Sequence, residues 1–128
     1  AASNLWFDGW VLMKDSKNVD AATAFINFLS IPKNVIRNMY YIGYTSCIAG
    51  EEVYSYIEET YGDEEGDTTH NLSYFFGDGH TLTADKAQTY RQLFAQYPDE
   101  STIDRLVVMK YFEKEDNDRI NRMWINIK

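Results

Sequence analysis

The densest apolar stretch of the chain is Leu5-Trp6-Phe7-Asp8-Gly9-Trp10-Val11-Leu12-Met13, bounded by Ser3-Asn4 and Lys14-Asp15-Ser16. Aromatic and aliphatic residues between turn-forming flanks predict a strand. Successive strand residues point to opposite faces, which would project Trp6 and Asp8 together and turn Phe7 the other way, into a core. After it the period changes. Ala22, Phe25, Ile26 and Leu29 recur at helical spacing behind an Asn18 cap, with Asp20 in the first turn. Pro32 closes that helix and opens a second, whose inward stripe is Val35, Ile36, Met39 and Ile42 and whose end is marked by Gly43. Tyr44-Thr45-Ser46 then forms a loop, where binding side chains concentrate.

A third helix is predicted over Glu51 to Tyr61, with Val53, Tyr56, Ile57 and Thr60 inward and Gly62 closing it. Asp63-Glu64-Glu65-Gly66-Asp67 lacks the alternating carboxylates and terminal glutamate of a calcium loop and reads as solvated. Tyr74-Phe75-Phe76 is an apolar cluster stopped by the turn Gly77-Asp78-Gly79. Beyond it the spacing predicts a helix capped by Thr83 and carrying Ala87, Tyr90, Leu93 and Phe94. Another runs from Asp99 to Met109 with Ile103, Leu106 and Val107 inward. The charged stretch Glu113 to Asp118 should break it, and a last helix from Asp116 or Asn117 carries Ile120, Met123, Trp124 and Ile127 on one face. The pattern therefore predicts a mainly helical chain with one or a few short strands. A lone strand cannot leave its backbone groups unpaired. Its partner must be an unrecognised short strand, another copy of the chain, or sequence outside these 128 residues.

Composition narrows the chemistry. Apolar residues make up 45% and aromatics 16%, enough for a small core with aromatic rings left over for a surface. A formal charge of -8 disfavours nucleic acid, which needs a basic face, and would draw in a cation. No apolar run approaches the roughly 20 residues of a membrane-spanning helix. Cys47 is the single cysteine, which excludes an internal disulfide, and without a His or basic neighbour it is expected to be a small buried hydrophobe. His70 and His80 fall in loop-like stretches without metal-ligand spacing, so no metal site is expected. No nucleophile elbow, phosphate loop or dinucleotide fingerprint occurs, and nothing singles out a catalytic carboxylate pair. The chain is read as a non-enzyme without catalytic residues or a cofactor. A Trp beside an Asp suits a ligand that is both cationic and hydrocarbon: the carboxylate pairs the ammonium, and the ring covers methylenes with a cation–π contribution of roughly 0.5–2 kcal/mol. The same spacing also fits an amphipathic strand with a core Trp and a solvated Asp.

Trp6-Phe7-Asp8, Lys17-Asn18-Val19-Asp20-Ala21-Ala22, Phe25-Ile26-Asn27-Phe28-Leu29, Pro32 and Ile42-Gly43-Tyr44 stand in an order and spacing that resemble the C-terminal third of the spermidine/putrescine-binding proteins of bacterial ABC transporters. The resemblance runs without gaps through Tyr44, fades between about Glu51 and Asp99, and returns loosely in the last helix. It implies an intact α/β receptor of the type II periplasmic-binding-protein kind, two-lobed and closing over its ligand. Residues 1–128 would be its C-terminal fragment, with a lobe-crossing strand and helices over 1–48 and a longer divergent segment and C-terminal helices over 49–128. In that family the chain crosses between lobes more than once, and a Trp-x-Asp motif at the crossing holds the polyamine. Trp6 and Asp8 match it. A tyrosine after Ile-Gly also touches ligand, and Tyr44 matches that. The family's polyamine-binding glutamine before the last helix is replaced here by Met109 or Lys110. Neither is a substitute, so that site is not carried over. The resemblance implies a polyamine ligand, an ABC permease as partner, and a periplasmic or extracellular location, the parent being secreted, lipid-anchored or fused to its permease. A sugar-like solute on the same fold, or a helical interaction domain that self-associates, are the alternative readings.

Overall fold

The computed structural model describes residues 3–88, 93–108 and 111–127. Among the described residues twelve elements follow one another: β1 (Ser3–Leu5), α1 (Val19–Leu29), α2 (Pro32–Ile42), α3 (Glu51–Tyr61), β2 (Thr68–Asn71), α4 (Ser73–Phe76), β3 (Thr81–Ala84), α5 (Lys86–Gln88), α6 (Phe94–Gln96), α7 (Glu100–Ile103), β4 (Leu106–Val108) and α8 (Lys114–Ile127). The described residues are mainly helical with few short strands, and these form two separate two-stranded pairs and no closed sheet. The chain divides into two compact units, Ala1–Asp8 with Arg105–Lys128, and Gly9–Asp104.

In the first unit β1 runs parallel to β4, with Ser3 opposite Leu106, Asn4 opposite Val107 and Leu5 opposite Val108. The missing partner of the opening strand is thus a short strand within the same chain, in a segment whose apolar spacing suggests helix. The expected helix from Asp99 shrinks to α7, which Asp99 caps by accepting a hydrogen bond from the Thr102 amide at 2.7 Å. Two adjacent valines then favour extended backbone, and pairing with β1 fixes it. β1 itself ends at Leu5, and Trp6 through Met13 form neither helix nor strand. Phe7, expected in a core, is 75% exposed. The stretch from Glu113 does not break a helix but starts one. The Asn117 amide bonds to the Glu113 carbonyl at 3.0 Å, and Glu115 and Asp116 occupy the first turn of α8, where the helix dipole favours negative charge.

The second unit holds the core. α1 and α2 form where the spacing puts them, joined by a tight elbow in which the Ser30 hydroxyl donates to the Ile26 carbonyl at 2.9 Å and the Asn34 amide group to the Phe28 carbonyl at 2.7 Å. Of the α2 stripe, Val35 and Met39 are buried and Ile36 is half-buried, whereas Ile42 is exposed. α3 covers the expected residues, with Val53, Ile57 and Tyr61 fully inward and Thr60 outward. Against it lies the antiparallel pair β2–β3, with His70 opposite Leu82 and Thr68 opposite Ala84. His70, Leu82 and Ala84 are buried while Asn71 and Thr81 are exposed, the alternation of a half-buried sheet. Thr83 is therefore a strand residue paired with Thr69, not a helix cap, because Leu82 and Ala84 answer to a period of two. Tyr90 lies outside the described residues. Gly66 approaches the Ala84 backbone so closely that a Cβ there would collide with it, which is why this acidic loop contains a glycine. Leu72, Leu93 and Tyr97 complete the core, and Phe75 and Phe76 stack edge-on or tilted against Tyr97.

Candidate functional site

Trp6 and Asp8 belong to the first unit and are its last residues before the chain passes into the second at Gly9. Both are exposed, Trp6 by 64%. The rule that put them on one face holds only within a strand, and the strand ends one residue earlier at Leu5. Exposed Trp10 follows, its ring edge-on to Phe25 of α1 at 5.6 Å between centroids. Trp6 through Met13 thus present a run of exposed apolar side chains next to a carboxylate.

Tyr44 lies in the second unit, immediately after α2. Gly43 adopts φ 74°, the left-handed conformation that ends a helix and that a residue with a Cβ resists, and its amide donates to the Met39 carbonyl at 2.8 Å. The chain turns sharply there, and Tyr44 comes out half-exposed. Both of its neighbours are tied to one residue of α6. The side-chain amide of Gln96 donates to the Gly43 carbonyl at 3.1 Å, and the Thr45 hydroxyl donates to the Gln96 backbone carbonyl. Gln96 is itself buried, and its side-chain oxygen accepts from the Tyr61 hydroxyl at 3.3 Å. Nothing in the spacing of the sequence points to Gln96, since its partners lie 35 to 53 residues away.

Both histidines are hydrogen-bonded within the chain. His70 sits on β2 rather than in a loop, buried, with Nε2 at 2.6 Å from the Tyr97 carbonyl, so that nitrogen carries the proton and donates. His80 follows the Gly77–Gly79 turn. Its Nδ1 donates to the Gly77 carbonyl at 2.9 Å and its Nε2 faces Glu51 Oε1 at 3.2 Å, while Tyr54 lies edge-on at 4.6 Å. The bond to Gly77 raises the His80 pKa above 6.5, partial desolvation opposes this, and the hydrogen bond and charge of Glu51 add to the rise. Cys47 is exposed, not buried, because the loop between α2 and α3 leaves it outside the core. Burial raises the Tyr61 pKa, and burial foremost, then Glu58 and Glu51, raises that of Tyr54. A shallow depression of about 310 Å³ is lined by Thr60, Tyr61, Gly62, Asp63, Asp85 and Ala87. Among the described residues no group of three His, Cys, Asp or Glu could hold a metal ion, and no helix is long and apolar enough to cross a membrane. Met109 and Lys110 lie outside the described residues. No protein-family model matches the chain, and no solved structure matches it either.

Proposed function

We propose that this chain is the C-terminal portion of an extracytoplasmic polyamine receptor, an α/β protein of the type II periplasmic-binding kind that passes spermidine or putrescine to an ABC permease. The observation that carries this reading is the exposure of Trp6 and Asp8 at the residue where the chain leaves one compact unit for the other. A Trp and an Asp spent on neither core nor internal pairing are available to a ligand. The net charge of -8 favours a cationic one. The return of the chain at Arg105 gives it a second passage between units, as a receptor with repeated crossings requires. Asp8 would accept an ammonium group and the Trp6 ring would cover the methylenes; Tyr44 is proposed as an aromatic ligand contact on the family resemblance alone. Binding is noncovalent and no catalytic step is involved.

Charge-assisted hydrogen bonds of this kind contribute roughly 1.5–3 kcal/mol each. Asp8→Ala in the intact receptor is therefore expected to weaken spermidine binding more than about tenfold. Calorimetry that finds unchanged affinity removes Asp8 from the site. A thermal-shift comparison of spermidine with neutral sugars separates the polyamine reading from a sugar receptor: stabilisation by the sugars alone would contradict it.

A further inference from the structure

Gln96 holds both neighbours of Tyr44, one through its side chain and the other through its main chain. We infer that Gln96 is the positioning residue of Tyr44, fixing where that ring stands toward the ligand; the ligand part of this inference rests on the polyamine reading above. Three features of the geometry carry it. Gln96 is buried, and both ends of its side-chain amide bond internally, Nε2 donating to the Gly43 carbonyl and Oε1 accepting from Tyr61. The Gly43 carbonyl is one that the end of α2 leaves without an intrahelical partner, so Gln96 supplies the missing donor. Thr45, on the other side of Tyr44, is anchored to the backbone of the same residue. Without these bonds the loop that carries this half-exposed tyrosine would sample many backbone conformations, and a ligand would have to bear the entropy of selecting one. Tyr61 of α3 backs the arrangement, so the loop's position is referred to the core helix rather than to the loop itself.

The test combines hydrogen exchange with spermidine titration of the intact receptor, for the unaltered protein, Gln96→Leu, Tyr44→Ala and the double variant. Gln96→Leu is expected to speed amide exchange across residues 43–46 about tenfold while the α3 amides keep their protection, and to weaken spermidine binding about fivefold. In the double variant binding should be no weaker than in Tyr44→Ala alone, because Gln96 acts through Tyr44. Additive losses would show that Gln96 acts elsewhere and overturn the inference, as would unchanged exchange at 43–46. Thr45→Val removes only the bond to the Gln96 carbonyl. If Gln96→Leu does not fold, this milder variant must speed exchange at the same amides, and no change in it overturns the inference. If the unaltered receptor binds no polyamine, the receptor reading fails, and faster exchange in Gln96→Leu still supports the positioning of Tyr44.

Discussion

α3 and α8 carry the same kind of apolar periodicity and meet opposite fates. In α3, Val53, Ile57 and Tyr61 are buried against Leu72, Leu82 and Tyr97, and Ile57 loses all solvent contact. In α8, Met123, Trp124 and Ile127 stay exposed and no residue is fully buried. Periodicity states which face of a helix is apolar; what covers the face depends on elements distant in sequence. For α3 those elements are β2, β3 and the Leu93–Tyr97 segment of its own unit. The Trp6–Met13 run resembles α8 in this respect, being apolar by composition and exposed by position.

The largest contrast should appear on truncation. Ile57→Ala is expected to cost about 3–4 kcal/mol in urea unfolding, the range for a fully buried aliphatic side chain, and Trp124→Ala less than about 0.5 kcal/mol. Comparable losses would break the comparison and show that the α8 face is covered in solution, as in a self-associated chain; sedimentation of the Trp124 variant would then reveal a smaller species.

Within the buried unit, the His70 bond to the Tyr97 carbonyl is next in size. His70→Ala strands that carbonyl and should cost about 1–3 kcal/mol by the same assay. His80 offers a pH-dependent contrast. Its pKa is raised in the folded chain above the ordinary 6.5, chiefly by the Gly77 carbonyl. Its stabilising contribution is thus complete below about pH 6.5 and fades as pH rises through the folded value. His80→Gln should flatten the fall in melting temperature across that window, and an undiminished fall would assign it to other groups. Within the core, Tyr97 provides the smallest effect. Its hydroxyl is buried with no partner among the described residues, and burial, then the nearby Tyr61 and Tyr56, raises its pKa far above the ordinary 10. Tyr97→Phe should leave stability within about 1 kcal/mol of the original or raise it. A larger loss would reveal a partner for the hydroxyl.

The helices of the first half were legible because their signals are local: an apolar stripe and a stop at Pro32, Gly43 or Gly62, although the expected Asn18 cap makes no side-chain hydrogen bond to α1. The boundaries of α3 follow from its spacing alone. The strands were not, for two reasons. β2 and β3 are four residues each and separated by a one-turn helix, so neither alternation is long enough to outweigh the helical spacing that runs through Thr83 and Ala87. β4 owes its conformation to β1, about a hundred residues earlier, and no window of sequence contains both. At the candidate site, Trp6, Asp8 and Tyr44 came from residue identity and from the family resemblance. The exposure of all three is information that spacing does not hold. Gln96 lay beyond reach because a buried amide is recognised only by its partners, and these sit at the end of α2, in its following loop and on α3.

Trp6 and Asp8 are proposed to belong to a polyamine site. The decisive measurement is isothermal titration of spermidine, then putrescine, into the intact protein. Saturable, exothermic binding of at least one of the two is expected, abolished or severely weakened in the Trp6→Ala/Asp8→Ala double variant. No heat with either ligand, or binding that the double variant leaves untouched, would contradict it.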